Sequence, residues 1–180
     1  MPVRVVAAGD GVLVRPPPIS RPLCDGRMAA MSDGPGSMAE NVEVVERFLA
    51  AFDRRWPAAD ELAELVAPDV RFVERPNLIN PAGSERDAAA MRSALDRGRQ
   101  LLAWQSYEVR DHIASGDIVV TRMRWSGELA VDAGPWPAGT RMAAWCVAHY
   151  RLGAGRIVHI EQHDCYEQPS ASADGRAALP

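Results

Sequence analysis

The stretch HYRLGAGRIVHIEQHDCYE, residues 149–167, decides the fold prediction. Gly153-Ala154-Gly155 separates two runs rich in β-branched and aromatic residues, a pattern typical of antiparallel strands joined by a hairpin turn. If the turn is tight, Leu152 pairs with Ile157 across it. This stretch therefore predicts the closing hairpin of an antiparallel sheet.

Ahead of the hairpin, the chain first shows helical periodicity and then strand patterns. Apolar spacing predicts three helices and one early strand: Glu40–Arg55 with Asn41 as N-cap, Asp60–Val66, the strand Val70–Glu74, and Glu85–Leu102 capped by Ser84. Turn signals then separate four strands: Trp104–Ala114, Asp117–Val131, Arg141–Leu152 and Arg156–Glu167. Helices followed by an antiparallel meander predict an α+β fold.

Length and composition predict one soluble, cytoplasmic domain. The chain has 180 residues and a net charge of −4, which gives no footprint for nucleic acid or an anionic membrane, and no apolar run is long enough to span a bilayer. Its three cysteines form neither a disulfide framework nor a zinc pattern. We predict a domain over 39–168, a disordered tail or mis-assigned start over 1–38, and a flexible tail over 169–180.

Three motifs resemble one known family. They are VRFVERP at Val70–Pro76, SYEVRDHIASGDIVV at Ser106–Val120, and the closing stretch quoted above. With the order of elements, they make residues 40–168 resemble the SnoaL-like, ketosteroid-isomerase-like branch of the NTF2-like superfamily. The resemblance implies a cone-shaped roll, in which a strongly curved antiparallel or mixed sheet carries about three N-terminal helices on its concave side. It also implies a cavity for a small apolar molecule, no cofactor, and a homodimer.

Site residues of the resembled family carry over only in part. Ketosteroid isomerases have an oxyanion-binding tyrosine where this chain has Phe48, and a general-base aspartate where it has Arg75, beside Glu74. Phe48 has no proton to donate, and a shift of one residue turns a strand side chain to the other face, so steroid isomerisation is not expected. The last-strand aspartate of limonene epoxide hydrolases matches Gln162, and only an altered register brings Asp164 into that role.

The tight hairpin places His149 opposite Ile160 and on the same face as Asp164. The resemblance implies that this face lines the cavity. A histidine in an apolar cavity can donate or accept a proton near neutral pH, and a nearby carboxylate stabilises its cation. We predict His149, Asp164 and Glu74 as catalytic residues, with His163 as the reserve candidate if the register slips by one.

Aromatic side chains on the predicted strands would form flat apolar walls that suit a ring system. We predict substrate contacts from Trp125, Trp145, Tyr107, Gln162, Phe48 and Asn77, although Asn77 could instead shape the turn after the first strand. His159, Glu161 and His163 share one face of the last strand, but successive positions about 7 Å apart strain a three-point metal site. No metal site is predicted.

Three functions stay open at this point. The first is a cofactor-independent enzyme that uses general acid/base chemistry for isomerisation, cyclisation or dehydration of a small apolar, carbonyl-containing, polyketide-like metabolite. The second is epoxide hydrolysis, in which Asp164 and Glu74 activate a water. The third is a non-catalytic ligand-binding or assembly module. An open cavity favours the first two, and the placement of carboxylates and histidines separates them.

Overall fold

The computed structural model describes residues 36–168. Within them lie three helices and six strands: α1 (Met38–Phe52), α2 (Ala59–Leu65), β1 (Val66–Glu74), β2 (Ser84–Arg86), α3 (Ala88–Leu101), β3 (Leu102–Ser115), β4 (Ile118–Leu129), β5 (Arg141–Gly153) and β6 (Arg156–Tyr166). The predicted order of helices and long strands is confirmed. The tails predicted over 1–38 and 169–180 lie outside the described residues, apart from Gly36, Ser37 and Met38.

The six strands form one open mixed sheet in the order β2-β1-β6-β5-β4-β3. β1 runs parallel to β6, and every other neighbouring pair is antiparallel. The core lies between this sheet and the helices, where Val45, Leu62 and Ile160 are almost fully buried. The arrangement is the predicted α+β cone. None of the helices in the described part of the chain is long and apolar enough to cross a membrane, and the cytoplasmic location stays a prediction.

The first helix begins earlier than predicted. Ser37, not Asn41, is its N-cap, and Ser37 and Glu40 form a reciprocal capping box. Asn41 is instead buried, and its Nδ2 donates a hydrogen bond to the backbone oxygen of Gly116 at 3.0 Å. This contact ties α1 to the turn between β3 and β4.

The third helix begins later than predicted, because the residues before it form a strand. Ser84–Arg86 pairs with β1, and the side chain of Asp87 caps α3 by accepting from the backbone N–H of Ala90 at 2.8 Å. Ser84 is therefore not a helix cap. The short strand places Ser84 directly opposite Glu74 in the sheet.

The closing hairpin contains an irregularity that the sequence pattern did not show. Ala154 and Gly155 both have positive φ, at 49° and 70°, as a two-residue type I′ turn requires, and the predicted pairing of Leu152 with Ile157 is present. The register then shifts, so that Arg151 pairs with His159 and Val158 is the extra residue of a β-bulge. Every residue of β5 before the bulge is displaced by one position relative to β6.

Candidate active site

A cavity of about 240 Å³ lies between α1, α3 and the inner face of the sheet. Its volume is just below the usual range for ligand pockets, which suits a small molecule. Twenty residues line it: Phe48, Leu49, Phe52, Trp56, Phe72, Glu74, Arg86, Met91, Ala94, Leu95, Gln105, Tyr107, Met123, Trp125, Ala144, Cys146, Tyr150, Gln162, Asp164 and Tyr166. The wall is mostly aromatic and aliphatic, with its carboxylates on β1 and β6.

Aromatic rings form two edges of the cavity. On α1, Phe48 packs on Phe52 with ring centroids 5.1 Å apart, and Phe52 meets Trp56, in the segment after the helix, edge-on at 6.5 Å. On the sheet, Trp125 meets Tyr166 edge-on at 6.0 Å. Such flat, rigid surfaces contact ring systems with little loss of side-chain entropy.

Asp164 lies near the C-terminal end of β6, and its carboxyl group lines the cavity. Gln162 Nε2 donates to both of its oxygens, at 2.9 and 3.1 Å. Burial raises the pKa of Asp164 above its ordinary value, and the negative charge of Glu74 also raises it, against the hydrogen bonds from Cys146 and Gln162. A raised pKa brings the carboxyl closer to the range in which it can both take up and release a proton.

Glu74 lies on the cavity wall at the end of β1, in a different setting from Asp164. Its Oε1 accepts from Asn77 Nδ2 at 2.8 Å, and its Oε2 accepts from Ser84 Oγ at 3.2 Å and from the Arg86 guanidinium. The Arg86 guanidinium also lies 5.1 Å from the centroid of the Phe72 ring. Because three donors already bind it, the Glu74 carboxyl group is held in one orientation.

The cavity also holds hydroxyl and thiol groups that stay protonated. Burial raises the pKa of Tyr107, Tyr150 and Tyr166 well above its ordinary value. Burial likewise raises the pKa of the Cys146 thiol, and the neighbouring Asp164 adds to that effect. The tyrosines are therefore hydrogen-bond donors at neutral pH, and Cys146 is not an activated thiolate.

The structure places His149 outside the cavity, so its expected position is wrong. The bulge at Val158 sets His149 opposite Glu161 instead of Ile160, and His149 is exposed on the outer face. A shift of one residue reverses the face of every side chain on a strand, and Trp145, 46% exposed, is turned outward for the same reason. Neither residue lines the cavity.

The reserve candidate and the predicted loop contact also lie away from the cavity. His163 is exposed, with its Nε2 3.4 Å from Oε1 of Glu161. Asn77 shapes the loop, since its Oδ1 accepts from the backbone N–H groups of Ile79 and Asn80 at 3.0 and 2.8 Å. Asn77 thus reaches the cavity only through its hydrogen bond to Glu74. Of the predicted site residues, those that line the cavity are Asp164, Glu74, Trp125, Tyr107, Gln162 and Phe48.

Several cavity residues were missed by the sequence analysis, among them Arg86, Gln105 and Tyr150. Arg86 lies within the segment that was predicted to begin a helix. Tyr150 follows His149 directly, so the predicted inward position of His149 implied that Tyr150 points outward. One signal was present: Ala144, Cys146 and Ala148 alternate with larger residues, and small residues on one strand face leave room for a packed helix. Among residues 36–168, no group of three or more His, Cys, Asp or Glu side chains is placed to hold a metal ion.

Comparison with known proteins assigns the family. The profile of the SnoaL-like domain matches residues 45–160, which is more than half of the chain. The chain belongs to the SnoaL-like family. No curated protein matches this SnoaL-like chain by sequence.

Solved structures share the fold of this SnoaL-like domain at low sequence identity. IdmH from Streptomyces antibioticus, provisionally named a polyketide cyclase, is 21% identical, with a TM-score of 0.56 over 69% of this chain and 91% of its own. TsrD from Streptomyces laurentii is 25% identical, with a TM-score of 0.55 over 70% and 88%. An LEH-like epoxide hydrolase from M. tuberculosis is 18% identical, with a TM-score of 0.53 over 71% and 84%.

Proposed function

We propose that this SnoaL-like domain is a cofactor-independent enzyme that uses general acid/base chemistry on a small, largely apolar, carbonyl-containing molecule. The reaction class is isomerisation, cyclisation or dehydration, and the substrate is a ring-forming, polyketide-like metabolite. The observation that carries the proposal is Asp164, a carboxyl group with a raised pKa in an apolar cavity of about 240 Å³. Catalytic acids and bases need this combination of a cleft and a perturbed pKa.

Asp164 carries the proton in the proposed step. Its ionised carboxylate takes a proton from the carbon next to the substrate carbonyl, and the electron pair of that C–H bond moves to form an enolate. If the enolate is conjugated with a C=C bond, return of the proton to the far carbon of that system completes an isomerisation. Alternatively, the enolate attacks a second carbonyl of the same molecule and forms a ring, and the resulting alkoxide takes the proton back from Asp164. Gln162, which donates to both carboxyl oxygens, holds Asp164 in one orientation.

The developing negative charge on the substrate oxygen needs hydrogen-bond donors. Tyr107, Tyr150 and Tyr166 line the same cavity and keep their hydroxyl protons, because burial raises their pKa. A donor in a site that excludes water stabilises an oxyanion far more than the same group does in water. The step needs no cofactor, because it moves only a proton and an electron pair.

The decisive experiment is proton exchange in D2O. We expect 1-tetralone, a bicyclic ketone of suitable size, to incorporate deuterium beside its carbonyl in the presence of the protein, as followed by NMR. Asp164→Asn keeps the shape of the side chain and removes the base, and should lower the exchange rate by about 10²–10⁴-fold. His149→Ala is the matched control, because the exposed ring should contribute nothing. Exchange that is equal in the Asp164→Asn variant would sink the proposal.

Epoxide hydrolysis is the second candidate, and the convergence of two carboxylates on one cavity favours it. Glu74 and Asp164 both line the wall with Arg86, and no histidine among the described residues does so. In this reaction a carboxylate removes a proton from water, and the hydroxide oxygen bonds to an epoxide carbon as the C–O bond breaks. The departing epoxide oxygen then takes the proton from the carboxyl group, which gives a diol and regenerates the carboxylate. Diol formation from cyclohexene oxide in ¹⁸O water, with one labelled oxygen per product, would select this reaction over enolisation.

The third function, a non-catalytic binding module, is tested by the same experiments. The cavity is open, which supports uptake of a ligand. Binding of 1-tetralone and of cyclohexene oxide without deuterium exchange or diol formation would favour a binding module.

We also propose that the domain forms a homodimer through its outer sheet face. Ile113, Trp145 and Val147 are large apolar residues exposed there, at 63%, 46% and 36%. Trp145→Ser should weaken self-association measured by analytical ultracentrifugation. A monomeric wild-type protein at high micromolar concentration would refute this part of the proposal.

A further inference from the structure

Gln105 is a polar residue in the cavity wall whose amide nitrogen makes no hydrogen bond to residues 36–168. It lies near the start of β3 and is only 4% exposed. Its Oε1 accepts from the indole Nε1 of Trp125 at 3.1 Å. Its Nε2 is buried and has no hydrogen-bond acceptor among residues 36–168. Buried donors of this kind are rare in native proteins and call for an explanation.

The chemistry of the indole decides which way the amide points. Trp125 Nε1 can only donate a hydrogen bond, so the atom that faces it must be the amide oxygen of Gln105. The position of the Trp125 ring is itself fixed by Gly127, which pairs with Gln105 across the strands. A Cβ on Gly127 would lie 2.9 Å from Cζ2 of Trp125, so the ring occupies the space that the missing side chain leaves free. The hydrogen bond to Trp125 therefore leaves Nε2 as a donor for which residues 36–168 supply no acceptor.

Gln105 lies at the far side of the sheet from the reacting carboxyl. Two strands separate β3 from β6, so three inter-strand spacings, roughly 14 Å in a flat sheet, lie between the chain paths of Gln105 and Asp164. Both residues line the same cavity, because the sheet curves around it. A ligand that contacts both must extend across the cavity.

We infer that Gln105 determines specificity by donating from Nε2 to an acceptor oxygen of the ligand, at the end remote from Asp164. The substrate class is then a ring compound with two oxygen functions, a carbonyl beside the reacting carbon and a carbonyl, ether or hydroxyl oxygen at the other end. Nε2 is closed off from water in this structure. The ligand oxygen therefore reaches it when the side chain shifts towards the cavity, and the unmade hydrogen bond favours that shift. This inference rests on the proposed function in that it assumes a small molecule occupies the cavity.

Two probes of similar size test the inference. 6-Methoxy-1-tetralone and 6-ethyl-1-tetralone share the ring ketone and differ only in whether the remote position holds an oxygen or a methylene. Burial of apolar surface alone would favour the ethyl compound. We expect the wild-type protein to prefer the methoxy compound by about 5- to 150-fold in Kd, measured by isothermal titration calorimetry, because the ethyl compound leaves the buried donor unpaired.

Variants assign the preference to the amide. Gln105→Met has a similar length and no donor, and should lose or reverse the preference. Gln105→Glu keeps an acceptor for Trp125 and replaces the donor by an oxygen, so it should also lose the preference. This variant serves as the test if circular dichroism shows that Gln105→Met does not fold. Asp164→Asn should keep the preference while losing deuterium exchange. Equal affinity for both probes in the wild-type protein, binding of neither probe, or an unchanged preference in Gln105→Met overturns the inference.

The failure of the inference and that of the proposed function give different results. Deuterium exchange that depends on Asp164, without any preference between the probes, removes the role of Gln105 and leaves the proposed function intact. A methoxy preference that depends on Gln105, without exchange in any variant, keeps the recognition of the remote oxygen and removes the catalytic proposal.

Discussion

Replacing Gly98 by alanine should destabilise the domain, although alanine is the better helix former. Gly98 lies in α3, near its C-terminal end, against the ring of Trp56. A Cβ at this position would lie 2.5 Å from Cζ3 of Trp56 and closer still to Cη2. Carbon atoms in contact normally lie about 3.5–4.0 Å apart, so the ring must move by roughly 1 Å or more.

The magnitude follows from two opposing effects. Alanine in place of glycine within a helix contributes about 0.5–1 kcal/mol of stability. Forcing a packed ring aside costs about 1–3 kcal/mol, and here the ring also holds its edge-on contact with Phe52. We expect a net loss of about 1 kcal/mol, and at most about 2.5 kcal/mol, in the free energy of unfolding. Because Trp56 lines the cavity, the affinity for 1-tetralone should change as well.

The control is the same substitution in a Trp56→Phe background, which lacks the ring atoms that the new Cβ would meet. There Gly98→Ala should stabilise the protein by about 0.5–1 kcal/mol, because only the helix-propensity effect remains. Urea unfolding followed by far-UV circular dichroism measures all four proteins without relying on tryptophan fluorescence. Stabilisation of the same size in both backgrounds would show that the Trp56 ring is not fixed against α3, and would refute the reasoning.

Three further predictions concern the charged groups. Asp164→Asn should make the protein more stable at neutral pH than the wild type. Burial raises the pKa of Asp164 in the folded state. The wild type therefore loses stability as the pH rises from the ordinary aspartate pKa through this raised value. Urea unfolding at several pH values should show the gain vanishing below the ordinary aspartate pKa, and a gain that persists in acid would contradict this origin. Arg86→Met should destabilise by about 1–3 kcal/mol, because it leaves the half-buried Glu74 without its ionic partner. In the matched control Arg71→Met, which breaks the exposed pair with Glu85, the loss should be clearly smaller, and equal losses would refute the distinction. His149→Ala should change stability by less than about 0.5 kcal/mol and leave the cavity chemistry unaltered, which thermal unfolding and the exchange assay can check.

The sequence predicted most of the local structure because local structure depends on neighbouring residues. Apolar spacing identified α1, and turn residues separated the four long strands close to their observed ends. The errors lie at element boundaries, where a few tertiary contacts decide. Asn41 was a plausible N-cap by residue type, but in the fold it is needed to bind the turn at Gly116.

The site was predicted less completely than the fold, because it depends on which faces of separate strands meet. Asp164, Glu74 and Tyr107 line the cavity as predicted, while His149 and Trp145 do not. The pairing of β1 with β6 shifts register between Val66 and Arg71. Beyond this shift Glu74 lines the cavity, and Arg75 points outward and pairs with Glu161. The Nε2 donor of Gln105, which has no acceptor among residues 36–168, has no sequence signature, because its surroundings arise only in the fold.

The amino-acid sequence by itself determined the α+β class, the order of helices and strands and the tight turn of the closing hairpin. It also identified Asp164 as a candidate residue of the cavity. Only the tertiary structure decided which face of β5 meets the cavity. Strand alternation has a period of two, so it gives two faces but does not say which one lies inside. One extra residue, Val158, shifted β5 relative to β6, turned His149 to solvent, and left carboxyl groups, not a histidine, on the cavity wall.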